Sequence, residues 1–571
     1  MVNDQMPVKY NQTSRHQTSR QCAAQVLSQL NLGYEINNIG SPAIAETGPV
    51  IVVANYPFGG VESIALLHLL LKHRDDVKIL GDRKLKNIAG LAQNAITLHT
   101  QNTDRPTYKN ITALRQAVRW LVKGGVLVVF PADIAHTSGF SGIRAGKEKW
   151  SAGVSRLIAM TGAAVMPVYI ENPGPFDRWL FSSLYSRLAN TKTYETVAHS
   201  RPKKMHLWIG KPIAASRLKR FGTDDETARY LRLHTHMLSS AKQPKLQFVA
   251  TNLPHKSSYE EIIPPLPPSY LLSEISQLKP EQKLATSANL DVYLARAEQI
   301  PQSLREIGRL REITFRAVGE GTGKAIDIDL HDRFYLHLFL WDREKNQIAG
   351  AYRLGLSDQI IKQHGKKGLY TQTLFKLHTR FLENLSPAIE LGRSFVCIEY
   401  QKSISPLMLL WKGIGTFLVR NPQYSTLFGP VSISNDYCST SRQLLIEFLK
   451  MGSFDDPLRK FIKARRPYRG KMRQKWHKHD LANIGSFEGL SDLISLLEDD
   501  GKGAPVLMRH YVNIGGRMLD FNVDKSFGNC VDGLVVVDLC KTDDRVLARY
   551  LGKQGAKSFK QYHQRSFALA G

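Results

Sequence analysis

The chain has 571 residues and a formal charge of +27, with Lys+Arg 77 against Asp+Glu 50, and it is 43% hydrophobic and 9% aromatic. This length exceeds one ordinary core, so two or three domains are expected, and the apolar content excludes a largely disordered chain. The positive excess favours polyanionic partners: an anionic membrane surface, an acidic protein or nucleic acid. Five cysteines without a Cys-x-x-Cys spacing argue against a disulfide framework or a zinc site and fit a reducing cytosol.

Residues 1–21 read as a polar tail without the apolar stretch of a secretory leader. From 22 to 250 the pattern alternates. Strands are expected at 50–54, 77–80, 126–130, 164–170 and 205–209, and helices at 61–73, 110–123 and 150–161. Such alternation predicts an α/β domain. Residues 251–269, with Pro254, Pro264, Pro265, Pro267 and Pro268, read as an extended linker. A second unit spans 270–571, its last strand at Gly533–Asp538, and no internal repeat relates the halves. Pro406–Leu418 reads as a helix, either packing in the core or lining an acyl-chain tunnel. The longest apolar-rich stretch, Ile404–Val419, is broken by Ser405, Pro406, Lys412 and Thr416. It falls short of the roughly 20 residues a spanning helix needs. Membrane contact should therefore be peripheral.

At the end of the first strand stands Asn55-Tyr56-Pro57-Phe58-Gly59-Gly60-Val61-Glu62, a strand–turn–helix crossing. It resembles the first motif of the glycerolipid (lysophospholipid) acyltransferases, Asn-His-Pro-x-Gly-x-x-Asp. Val126–Asp133, Trp150–Tyr169 with Pro167, and Ile209–Ile213 resemble later segments of that family, so the likeness covers about 25–240. It implies that Tyr56 stands where the family has its general base, Glu62 where it has the orienting Asp, and Asp133 where a Gly sits beside a phosphate. A phenol with an ordinary pKa of about 10 is a poor base at neutral pH. O-acyl transfer is thus expected to be lost or weak. The domain would then serve in membrane docking or stabilisation. His136 is either a substitute base or a surface residue.

The second half carries Arg311-Glu312-x-x-Phe315-Arg316-x-x-Gly319-Glu320-Gly321, then Asp327-x-Asp329, Ala349–Leu354, Glu390-Leu391-Gly392-Arg393, Leu410–Ile414 and Gly429–Ser434. Ala504–Tyr511 and Phe521–Asp524 close the series. Together these resemble the ornithine-lipid-type N-acyltransferases, hemolysin-like members of the GNAT superfamily, and echo the acyl-homoserine-lactone synthases. The likeness implies an α/β GNAT-like domain with no bound cofactor or metal. Its donor would be the acyl-phosphopantetheine of acyl carrier protein and its acceptor the α-amine of an amino acid such as ornithine. The product would be a lyso-aminolipid, made at the inner face of a bacterial membrane. The rival readings are a full bifunctional N,O-acyltransferase and a non-catalytic membrane-associated scaffold.

Within this resemblance Glu390 is the candidate for amine recognition or deprotonation. Arg393 and Arg353 would bind the amino acid carboxylate, because Arg presents a bidentate fork. Asp327, Asp329 and Arg316 are further substrate-site candidates. The same charges also fit a structural ion-pair network. Three residues apart on an extended strand, Glu390 and Arg393 would face opposite ways unless a bulge intervenes.

Residues 459–478 hold ten Lys or Arg and no acidic residue, with Tyr468 and Trp476 among them. Arg465, Arg466, Arg469, Lys471, Arg473 and Trp476 are candidates for contact with an anionic bilayer or with acyl carrier protein, which is acidic. No nucleic-acid-binding motif is present, so nucleic acid is not the expected partner. A smaller membrane candidate is Phe176–Phe181 with Tyr185 and Arg187.

Overall fold

A computed structural model describes residues 17–38, 45–57, 60–81, 84–98, 108–132, 150–171, 177, 180–183, 185–186, 203–219, 221–238, 259–470, 481, 484, 486–498 and 500–570. The chain divides into two compact units, Met1–Pro244 with His477–Lys502, and Lys245–Trp476 with Gly503–Gly571. The sequence placed everything after 270 in one unit, whereas His477–Lys502, with the helix Phe487–Leu497, groups with the first.

In the first unit the described strands are β1 (Leu32–Asn38), β2 (Val50–Ala54), β3 (Val77–Leu80), β4 (Ala95–Ile96), β5 (Val126–Val129), β6 (Ala164–Ile170) and β7 (Lys203–Ile209). They form one sheet in the order β1-β7-β6-β2-β5-β3-β4, parallel except between β6 and β7. Continuous Val/Ile runs such as Val50–Val53 are buried on both faces, the pattern of a parallel strand covered from both sides. Helices Val61–Leu70, Tyr108–Val122 and Gly153–Thr161 fall within two or three residues of the expected positions. The expected polar tail ends earlier than residue 21. A helix runs from Ser19 to Gln29 behind a reciprocal cap, in which Thr18 accepts from the Gln21 N–H and the Gln21 side chain accepts from the Thr18 N–H.

In the second unit the strands are β8 (Lys283–Ser287), β9 (Leu290–Arg296), β10 (Leu336–Asp342), β11 (Gln347–Leu356), β12 (Phe375–Leu377), β13 (Ala388–Val396), β14 (Thr426–Ile433), β15 (Ile462–Ala464), β16 (Arg517–Asp524) and β17 (Cys530–Asp538). The large sheet runs β16-β17-β14-β13-β11-β10-β9-β8, and β12 pairs with β15 separately. All pairings in the large sheet are antiparallel except β13 with β14. Phe428, Leu534 and Val536, with Phe381 beside them, and Phe339, Trp341 and Phe395, with Ile307 beside them, line one face of the large sheet, while the helix Ser405–Arg420 packs on the other face against Val292 and Leu338. The helix expected at 406–418 spans Ser405–Arg420, with Trp411 and Phe417 buried. The Pro-rich linker ends in a helix that starts at Pro268, a residue suited to the first helical turn. Residues 251–258 of that linker lie outside the described residues. Among the described residues no helix is long and apolar enough to cross a membrane.

Candidate active site

In the first unit Tyr56 follows β2 and lies half-buried, its ring edge-on to Phe130 at 5.0 Å. Glu62, in the first turn of the helix Val61–Leu70, is fully buried and accepts from the Gly60 N–H at 2.8 Å. The turn brings Tyr56 and Glu62 to the end of β2 and the start of the helix that follows it. Asp133 and His136 lie outside the described residues. Phe181 and Tyr185, expected at a membrane, are buried in the core of this unit instead; Phe176 and Arg187 are outside the described residues.

The second unit gathers most of the predicted charges. β13 and β14 pair only from Ala388/Thr426 to Glu390/Phe428, although both strands continue. Beyond that point β13 stays with β11 and β14 with β17, so a gap opens in the sheet. At its apex the backbones touch. Gly429 has φ +155°, and a Cβ there would stand 2.0 Å from the Leu391 carbonyl oxygen.

A bulge in β13 decides which way Arg393 points. Against β11, Gly392 pairs with Arg353 and Phe395 with Ala351, so Arg393 and Ser394 together oppose Tyr352. Arg393 takes φ +48°, unusual for a bulky residue. The consequence is that Arg393 and Glu390 do not face apart: both reach Tyr370, Arg393 donating to its hydroxyl at 3.3 Å and Glu390 accepting from its N–H at 3.2 Å.

Arg311, Arg353 and Arg393 interlock with Asp327, Asp329 and Asp332. Arg311 forks onto both oxygens of Asp332 at 2.9 Å each and lies 3.1 Å from Asp327. Arg353 meets Asp329 at 2.7 Å and Asp332 at 3.3 Å. Its Nε and Nη2 have no hydrogen-bond acceptor, and the guanidinium lies over the rings of Tyr335 and Tyr370. Arg393 lies 3.2 Å from Asp327 and 3.8 Å from Asp329, over the rings of Tyr370 and Phe527. Burial alone would raise the Asp329 carboxyl, but contact with His331 and the Arg353 charge outweigh it and hold it well below the usual range. For Asp332, Arg311 and then Arg353 outweigh burial in the same way. Three guanidiniums against three carboxylates leave this network balanced.

Glu390 is 1% exposed. It accepts from the Tyr335 hydroxyl and from the N–H groups of Tyr370 and Thr371, so its oxygens anchor a turn. Arg316 lies apart from Arg353 and Arg393. It pairs with Glu312 at 2.7 Å, donates to the carbonyls of Glu260 and Lys324, and stacks on Tyr259.

Sequence reasoning assigned no role to Asp332, the third Asp of an Asp-x-Asp-x-x-Asp spacing, or to Tyr370. It also passed over a second set of carboxylates near Arg393: Glu320, Asp524 and Asp532, each at most 6% exposed. Ser432 donates to Glu320 at 3.0 Å. Burial pushes the Glu320 carboxyl up to about 7, against the pull of Ser432 and Arg393 and with the help of Asp524. Asp532 is also held well above its ordinary value, by burial first and then by Asp524 and Glu320. Of the basic segment, Arg465, Arg466 and Arg469 are exposed beside β15. Lys471, Arg473 and Trp476 are outside the described residues.

Residues 310–412 match the family model described as an acetyltransferase (GNAT) domain. This covers the C-terminal part of the helix Pro301–Ala317, which carries Arg311, the β13 bulge and the start of the helix Ser405–Arg420. The chain is 32% identical over 284 residues to the glycine N(alpha)-acyltransferase of Phocaeicola vulgatus, covering 47% of this chain and 85% of that protein. It is 36% identical over 202 residues to the glycine N(alpha)-acyltransferase of Bacteroides thetaiotaomicron, covering 34% of this chain and 60% of that one. The chain therefore belongs to this family of GNAT N-acyltransferases. A solved structure, the 1-acyl-sn-glycerophosphate acyltransferase PlsC of Thermotoga maritima, matches 39% of this chain and 78% of its own at 18% identity. The TM-score is 0.25, too low to carry an argument.

Proposed function

We propose that the second unit transfers an acyl chain from the phosphopantetheine thioester of acyl carrier protein to the α-amine of an amino acid, giving a single-chain aminolipid. The observation that carries this reading is the gap between β13 and β14, flanked by the Arg393 bulge and the buried charges around it. An extended thioester arm needs unpaired strand edges to lie along, and polar backbone groups at a bulge can steady the oxyanion of the tetrahedral intermediate. Glycine is the first acceptor to test, because the named relatives act on it; ornithine is the second, because the Glu320–Asp524–Asp532 group could release protons to a second ammonium.

Exposed Arg465, Arg466 and Arg469 would meet the acidic carrier protein or an anionic membrane from the cytoplasmic side. For the first unit the reading is a glycerolipid-acyltransferase-like module whose O-acylation is lost with the base at Tyr56. The decisive assay incubates the full chain with labelled acyl carrier protein thioester and a panel of amino acids, with mass spectrometry of the products. An N-acyl amino acid is expected, and labelled thioester left intact with every amino acid would refute the reading. Abundant diacylated aminolipid in expressing cells would refute the loss of O-acylation.

A further inference from the structure

An amino acid reaches an active site at neutral pH as an ammonium, which cannot attack a thioester until it loses a proton. Glu390, the carboxylate suggested by the motif, is occupied by three donors. Glu320 accepts only from Ser432, Asp524 accepts at Oδ1 from the N–H and hydroxyl of Ser526, and Oδ2 of Asp532 has no donor.

Their placement is fixed by three segments tied together. Ser434 donates to the Val318 carbonyl, Ser432 to Glu320, and Asn435 to the Gly528 carbonyl. Gly528, at φ +65°, approaches the 319–320 backbone so closely that a Cβ would lie 2.3 Å from the Gly319 oxygen. Strand register then sets Ser432 opposite Asp532, Asp532 opposite Asn522, and Cys530 opposite Asp524. The groups acting electrostatically on Glu320 or on its carboxylate neighbours are Arg393 on β13, Asp524 on β16, Asp532 and Cys530 on β17, and the Tyr370 hydroxyl.

With no cation paired to it, the cluster holds protons more tightly than ordinary carboxylates do, and a bound cation would displace them. The arginines Arg311, Arg353 and Arg393 are matched by their own aspartates. Among the described residues no Lys, Arg or His comes within 4.0 Å of a carboxylate oxygen of Glu320, Asp524 or Asp532. Asp532 is 6% exposed and its Oδ2 has no hydrogen-bond donor. A buried, unpaired carboxylate oxygen is costly to leave empty.

We propose that the Glu320–Asp524–Asp532 cluster receives the ammonium of the amino acid acceptor and that Glu320 takes its proton before attack. This rests on the N-acylation reading above. The ammonium gives one proton to Glu320, and the freed lone pair forms the C–N bond to the thioester carbonyl carbon. The C–S bond breaks with its electron pair on sulfur, and the second N–H proton converts the thiolate to a thiol. An amide and the free phosphopantetheine thiol of acyl carrier protein remain, and Glu320 returns its proton to solvent. The elevated Glu320 carboxyl suits this role, since a base works best with a pKa near the operating pH.

The test uses the full chain, acyl carrier protein thioester and whichever amino acid the wild type accepts. E320Q keeps the shape and an acceptor for Ser432. It is expected to lower kcat at least 100-fold and to flatten a pH profile that in the wild type rises with a midpoint near 7. E320D should restore part of the rate, and D532N should raise KM for the amino acid about tenfold without changing KM for the thioester. A folded E320Q with kcat within twofold of wild type and an unchanged profile overturns the proposal. Should E320Q fail to fold, E320D decides: a displaced midpoint supports the proposal and an unchanged one overturns it. A wild type that acylates no amino acid refutes the N-acylation reading itself, which separates the two failures.

Discussion

Replacing Glu390 by Gln separates anchoring from chemistry at the motif's most conspicuous carboxylate. Its two oxygens receive the Tyr335 hydroxyl and the N–H groups of Tyr370 and Thr371. An amide must put its NH2 against one of those N–H groups, whichever way it is turned. One backbone donor then loses its acceptor, at about 1–3 kcal/mol, and the remaining bonds lose their charge assistance. A total of about 3 kcal/mol is expected, which for a unit of this size lowers Tm by about 5 °C. Thermal unfolding followed by tryptophan fluorescence, with kcat measured well below the transition, reads both quantities. If E390Q unfolds at the wild-type temperature while kcat falls 100-fold or more, the carboxylate does chemistry and the anchoring argument is refuted.

Gly429→Ala forces a Cβ against the Leu391 carbonyl at the mouth of the sheet gap, so urea unfolding should show a loss of about 3 kcal/mol. Arg311→Met leaves Asp327 and Asp332 buried without their main partner, and a loss of about 3–5 kcal/mol is expected in the same assay. The raised carboxyl of Glu320 binds its proton more tightly in the folded than in the unfolded chain. Its contribution is fully present below about pH 4 and is lost as pH rises through about 7. The stability of wild type relative to E320Q should therefore fall by about 3 kcal/mol between pH 4.5 and 8, and equal pH dependence in both would contradict it.

The first unit's strands were legible because Val50–Ala54, Val126–Val129 and Ala164–Ile170 are unbroken apolar runs of the length strands take. The helix at Ser19–Gln29 was not, since its charged and amide residues mask the apolar stripe of Cys22, Ala23, Val26 and Leu27. The Thr18/Gln21 cap was the available signal. In the second unit the motif residues Arg353, Glu390 and Arg393 do converge, but the direction of Arg393 depends on a bulge set by its pairing with β11. Spacing along one strand cannot reveal that. Glu320, Asp524 and Asp532 sit in segments distant in sequence, and only the β14–β17–β16 register brings them together.

That register has a further consequence for how the protein is made. β17 lies between β14 and β16 in the sheet, yet both β16 and β17 follow the 477–502 excursion in the chain. A ribosome therefore releases Arg311, Arg353 and Glu390 long before the strands that close the sheet beside them. Until those strands arrive, β14 presents a bare edge open to unwanted pairing. The protein would acquire its acceptor site only in the last stage of synthesis, and nascent chains stalled before β16 should be the ones that recruit chaperones.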